Sequence, residues 1–100
     1  MIELGGNITL AGFKDLDGGQ IIVVKKMVGG YVRKMSDQME DFESFKMTMK
    51  EVHKTEKNQK YEIHSKLMAG GKPYTAKAVD HNLFVAMDSS LKKILTEISK

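Results

Sequence analysis

The sequence predicts a two-layer α+β domain in the order β-α-β-β-β-α, with a four-stranded mixed sheet and two helices packed on one of its faces. Two segments, residues 21–35 and 84–98, repeat apolar side chains at about 3.6 residues per turn. Between them, three consecutive segments alternate apolar and polar residues, the period of strands with one buried face. A chain of 100 residues holds material for one core, so residues 1–100 are expected to fold as a single domain.

The first strand is expected at residues 8–13, Ile-Thr-Leu-Ala-Gly-Phe, entered through Gly5-Gly6-Asn7. Asp17-Gly18-Gly19-Gln20 then has the spacing of a capping box, in which the Asp side chain accepts a backbone N–H and the Gln reaches back. Beyond it Ile21, Val24, Met27, Val28, Tyr31, Val32 and Met35 fall on one helical arc, and Lys25, Lys26, Arg33 and Lys34 on the opposite one. The β-branched run Ile21-Ile22-Val23-Val24 leaves a buried strand to Val24 as an alternative. Gly29-Gly30 costs about 1 kcal/mol per glycine relative to Ala and is expected to mark a close approach of helix to sheet. Residues 37–43 read as a solvated acidic turn.

Phe45, Met47 and Met49 alternate with Lys46, Thr48 and Lys50, and their apolar members define a core face. Residues 53–60 lack apolar periodicity and are expected to form a mobile hairpin loop. Tyr61, Ile63, Ser65 and Leu67 alternate with Glu62, His64 and Lys66; Gly70-Gly71 supplies a turn into a last strand through Tyr74, Ala76 and Ala78. Pro73, just after that turn, fits an edge strand. Asp80 is expected to cap the final helix, with His81 in its first turn and Phe84, Met87, Leu91, Ile94, Leu95 and Ile98 as its apolar stripe. The uncovered sheet face should then display Lys46, Thr48, Lys50, Glu62, His64, Lys66, Thr75 and Lys77.

Composition narrows the chemistry. The chain has no cysteine, which excludes disulfides, thiolate metal sites and a cysteine nucleophile, and fits a reducing cytoplasm. Its start lacks the basic and apolar regions of a signal peptide, and no apolar run reaches spanning length, so a soluble cytoplasmic protein without membrane contact is expected. His53, His64 and His81 show no ligand spacing; Met27, Met35, Met47, Met49 and Met87 fall on core faces; the Gly-Gly pairs match no phosphate-binding fingerprint. Asp88 and Ser89-Ser90 have no triad pattern around them, and Asp88 is expected to pair with Lys92 instead. Neither catalysis nor a cofactor or metal is expected.

The remaining signal is charge. The formal net charge is +3, unevenly distributed: residues 1–43 carry five basic and seven acidic groups, residues 44–77 eight and three, and residues 78–100 three of each. Lysines of this kind solvate strands and protect sheet edges, or they neutralise a phosphate backbone with little sequence preference. The candidate contact set is Lys25, Lys26, Arg33 and Lys34 on the first helix, Lys46, Lys50 and Lys54 on and after the second strand, and Lys92 on the last helix. With Tyr31 and Tyr61 on core faces and Tyr74 near an end, base-stacking platforms are scarce, so structured RNA read by shape and backbone is the RNA target that fits.

From Ala76-Lys77-Ala78 through Asp80, the pair Leu83-Phe84 and Ala86-Met87-Asp88, the chain resembles the last strand and final-helix opening of the short ribosome hibernation factors, the family of ribosome-associated translation inhibitors. The Gly70-Gly71 turn, the Phe45 to Met49 alternation and the element order extend the likeness; the Gly-interrupted first helix departs from the more charged, regular helix of that family. The resemblance implies binding to the small ribosomal subunit and its ribosomal RNA where messenger and transfer RNA sit, blocking translation under stress. The α-β-β-β-α tail is also similar to double-stranded RNA-binding domains. A protein-interaction or dimerisation domain without nucleic acid is the alternative from another class, and a homodimer is compatible with either.

Overall fold

The computed structural model describes residues 1–52 and 59–99, with the side chain of Val52 left out. The elements are β1 (Ile2–Gly5), β2 (Ile8–Ala11), α1 (Gly18–Gln38), β3 (Phe42–Val52), β4 (Lys60–Ala69), β5 (Lys72–Asp80) and α2 (Leu83–Ile98). The class is the expected α+β, but the sheet has five strands in the order β1-β2-β3-β4-β5, not four.

The additional strand comes from a tight hairpin at the N-terminus. Gly6 and Asn7 both take positive φ, 56° and 65°, the backbone that a two-residue turn with the right twist requires. Ile2 then pairs with Leu10 and Glu3 with Thr9, so the alternation of Ile2 and Leu4 with Glu3 continues the two faces of the sheet. Asn7 also ties this turn to β3, its Nδ2 donating to the Glu43 carbonyl over 2.9 Å.

β2 and β3 run parallel, as the β-α-β crossover through α1 demands, and β3, β4 and β5 form an antiparallel meander. Both helices lie on one face: α2 packs on β4 and β5, and α1 lies beside α2 and reaches β3. Phe45, Met47, Met49, Ile63 and Leu67 meet Val24, Val28, Val32, Met35, Met87, Leu91 and Ile94 in a single buried cluster.

The capping box is present: Gln20 N donates to Asp17 Oδ1 over 2.8 Å, and Gln20 Oε1 accepts from Asp17 N at 3.3 Å. The strand alternative for residues 21–24 falls, because the segment is helical and leaves Ile22 and Val23 exposed at 57% and 43%. Gly29 and Gly30 are exposed, with open space where a Cβ would stand, so they mark no close approach. The close approach is at Gly12, where a Cβ would lie 2.3 Å from the Met49 carbonyl oxygen and φ is +85°. Of residues 37–43, expected as a turn, 37–38 complete the last turn of α1 and Phe42 and Glu43 open β3.

Asn82 rather than Asp80 caps α2, its Oδ1 accepting from Phe84 N at 2.9 Å and Val85 N at 3.2 Å. Asp80 ends β5, and its Oδ1 accepts from Asn82 N at 2.9 Å, which aims the true cap. His81 precedes the helix, with Nδ1 3.1 Å from the Gln59 carbonyl oxygen. The expected hairpin loop lies largely in residues 53–58, outside the described residues.

Candidate nucleic-acid interface

Lys25, Lys26, Arg33 and Lys34 are all exposed on α1, opposite the buried Val24, Val28, Val32 and Met35. Eight residues separate Lys25 from Arg33 and Lys26 from Lys34, so the two pairs stand about 12 Å apart along one helical face. Lys34 Nζ lies 5.4 Å from the centroid of the Tyr31 ring. The Tyr31 hydroxyl crosses to the other helix and donates to Asp88 Oδ1, while Asp88 Oδ2 receives Lys92 Nζ at 2.9 Å. This chain of contacts joins Lys34 of α1 to Lys92 of α2 across the helix pair.

The electrostatics of that junction are set by burial and by the shared proton. Desolvation, reinforced by Asp88, pushes the Tyr31 hydroxyl up to about 12, so it stays a donor at every physiological pH. The hydrogen bond from Tyr31, then that from Lys92, holds the Asp88 carboxyl below its ordinary value. Bound on one oxygen by Tyr31 and on the other by Lys92, Asp88 acts as a tether between the helices. Ser90 is buried, its Oγ 2.7 Å from Ser65 Oγ and 3.4 Å from the Ala76 carbonyl oxygen. It joins α2 to the sheet.

On the far side of the sheet the strand register builds a second cationic surface. Lys46 stands opposite Lys66, Thr48 opposite His64 and Lys50 opposite Glu62 on β3 and β4; Lys66 stands opposite Thr75 and His64 opposite Lys77 on β4 and β5. The expected membership of this face is therefore met. Glu62 serves several cations: its Oε2 is 2.9 Å from His64 Nε2 and its Oε1 3.8 Å from Lys77 Nζ. The His64 contact chiefly, with smaller contributions from Lys77 and Lys50, keeps the Glu62 carboxyl below its ordinary value.

The candidate contact residues thus divide between two opposite faces. Lys25, Lys26, Arg33, Lys34 and Lys92 belong to the helix layer, and Lys46 and Lys50 to the uncovered sheet face; Lys54 lies outside the described residues. Lys66 and Lys77 share the sheet face with Lys46 and Lys50, as the alternation predicts, and the register adds that Lys66 stands directly opposite Lys46. Lys93 is turned to a structural task, Nζ donating to the Lys77 carbonyl over 2.8 Å and fastening α2 to the outer side of β5. Among the described residues no Phe or Tyr is exposed, so large rings on which bases could stack are scarce on both surfaces. Nor, among those residues, does any group of three or more His, Asp or Glu gather as metal ligands, and no helix is long and apolar enough to cross a membrane.

No protein-family model matches the sequence, and no curated protein matches it. Solved structures match the fold. The Protein Y N-terminal domain of Thermus thermophilus superposes with a TM-score of 0.67 at 13% identity, covering 91% of each chain. A ribosomal subunit interface protein from Coxiella burnetii superposes with a TM-score of 0.59 at 12% identity, covering 92% of each chain. At such identities the likeness establishes a shared fold across nearly the full length of all three chains.

Proposed function

We propose that this protein is a non-catalytic, ribosome-associated RNA-binding factor of the cytoplasm, which occupies the messenger- and transfer-RNA region of the small subunit and silences translation under stress. The observation that carries the reading is the fold: the chain is covered almost end to end by a structure named as a ribosomal subunit interface protein. The residue-level resemblance between residues 45 and 98 points the same way, and the whole chain acts in this reading as one unit.

The residues that carry the contact are Lys25, Lys26, Arg33 and Lys34, with Lys46, Lys50, Lys54 and Lys92, each neutralising a ribosomal RNA phosphate. The mechanism is occupancy. Ammonium and guanidinium groups displace counterions from the phosphate backbone, and the seated protein excludes the RNAs that otherwise use the site. The absence of an exposed Phe or Tyr among the described residues supports recognition by shape and backbone over base stacking.

Co-sedimentation with purified ribosomal subunits tests this. The expected result is co-migration with the small subunit at low salt, weakening by a factor of about a thousand or more between roughly 50 and 200 mM salt if six or more phosphates are engaged. Absence from the subunit fractions at low salt ends the proposal. A second reading has one observation in its favour, the α-β-β-β-α run from α1 to α2 that is similar to double-stranded RNA-binding domains. Titration with a plain RNA duplex separates the two: tight duplex binding without subunit binding selects the second.

A further inference from the structure

The uncovered sheet face carries an electrostatic conflict. Lys46 and Lys66 are direct partners across β3 and β4, which brings their Cβ atoms to within about 5.5 Å of each other. Like charges placed directly opposite each other oppose pairing. The residues directly beside the pair in its row carry no charge, and Glu3 stands a further strand away. Lys46 has Thr9 on its other side and Lys66 has Thr75, and among the described residues neither lysine has a carboxylate partner. Glu62 lies at the opposite end of the face, occupied by His64 and Lys77. The two lysines, Thr48, His64 and Thr75 line a shallow depression of about 360 Å³.

A group that would relieve this repulsion is an anion that sits above the sheet and bridges side chains of adjacent strands, which stand about 4.8 Å apart, and that is rich enough in acceptors for two ammonium groups and a hydroxyl. A tetrahedral phosphate meets both conditions. We propose that Lys46, Lys66 and Thr75 form a phosphate-binding site on the uncovered sheet face, and that it takes a backbone phosphate of an RNA strand. Lys46 and Lys66 straddle the phosphate, Thr75 donates its hydroxyl from the next strand, and Thr48 borders the seat. The assignment of RNA as the phosphate donor rests on the function proposed above; the phosphate site itself rests on the register. The site adds Lys66 and Thr75 to the contact residues. It also gives the protein two RNA-facing surfaces on opposite sides, so the strand held by the sheet differs from the one held by the helices.

Three measurements on the full chain decide it. In NMR titration with inorganic phosphate against chloride of equal ionic strength, Lys46, Lys66 and Thr75 are expected to shift together on one saturable curve, and Lys66→Gln and Thr75→Val to lose it. Uniform shifts over all lysines, or an unchanged curve in both variants, overturn the site. Melting in the same two salts guards against misfolding: wild type should gain more from phosphate than Lys66→Gln, and equal gains count against the site. With single-stranded oligouridylate as probe, the log–log salt slope should fall by about 0.7 in Lys66→Gln, the share of one phosphate contact on a single strand. Phosphate shifts without oligouridylate shifts at the same residues would show a seat for free phosphate and overturn the RNA assignment. Failure of the wild type to sediment with ribosomal subunits while these shifts persist removes the ribosome and leaves the site. Co-sedimentation together with flat phosphate titrations removes the site and leaves the ribosome.

Discussion

Tyr31 ties α1 to α2 through its hydroxyl, in addition to the core they share, and its contribution depends on pH in a definite direction. Its folded-state value is raised from 10.0 to about 12, so the stability it supplies is complete below pH 10 and disappears as pH rises through about 12. Asp88 acts in the reverse sense, its depressed carboxyl contributing above its unfolded value of 3.8 and losing that contribution as pH falls through the lower folded value. Tyr31→Phe is expected to cost about 1 kcal/mol at neutral pH in urea unfolding, and to flatten the decline in stability between pH 10 and 12. The buried hydroxyl pair makes a comparable prediction without titration. Ser90→Ala strands the Ser65 hydroxyl, a loss of about 1–3 kcal/mol, whereas Ser65→Ala/Ser90→Ala together should cost less than the sum of the single changes in the same denaturation experiment. Sequence placed Ser65 on a core face and Asp88 beside Lys92. It could not show Tyr31 meeting Asp88 or Ser65 meeting Ser90, because those pairs are 57 and 25 residues apart in the chain.

Glycines separate into opposite roles at the level of the elements. Gly29→Ala and Gly30→Ala should each raise stability, by up to about 1 kcal/mol, since both are solvent-facing helix positions with room for a methyl group. Gly12→Ala should lower it by several times that amount or prevent folding, because the new Cβ meets the Met49 carbonyl in a left-handed backbone. Thermal unfolding followed by circular dichroism distinguishes the two groups. Sequence pattern identified α1, its capping box and its buried arc, since one continuous amphipathic face outweighs a short β-branched run. The hairpin of β1 and β2 had its signals too, Ile2 and Leu4 in alternation before Gly6-Asn7, yet a strand of four residues barely exceeds the noise of any alternation. Asn82 escaped for a different reason. Asp80 and Asn82 are both good caps two positions apart, and only the length of β5 decides between them.

Across the whole molecule, the charged groups occupy opposite sides of a body whose smallest extent is 18 Å. Replacing Lys25, Lys26, Arg33 and Lys34 by Glu should leave the fold intact, since all four are exposed, and should abolish subunit co-sedimentation by turning the net charge from +3 to negative. In salt titrations of RNA affinity, milder neutralisation of the helix face and of the sheet face should add in log K, as expected for sites that share no partner. Strong non-additivity would mean that a single strand wraps both sides. The identity of the charged residues was evident in the sequence, as was the membership of the uncovered sheet face. Their partition was not, because charge can be counted along a chain while opposition of Lys46 to Lys66 needs the pairing register of β3 with β4.

Strand order that follows chain order has a consequence for how the protein comes together. The β3-β4-β5 meander and α2 meet through short connections, so little loop-closure entropy opposes them, whereas the β2–β3 pairing must wait for all of α1 to be bridged. The C-terminal half is therefore the expected nucleus, with the parallel seam and the N-terminal hairpin adding late. In native-state hydrogen exchange, amides in the interior of β4 should open only with global unfolding, and those of β1 should exchange first. Late docking of α1 means that a chain refolding from the denatured state acquires the sheet-face lysines in their final register before the cations of α1 are fixed in place.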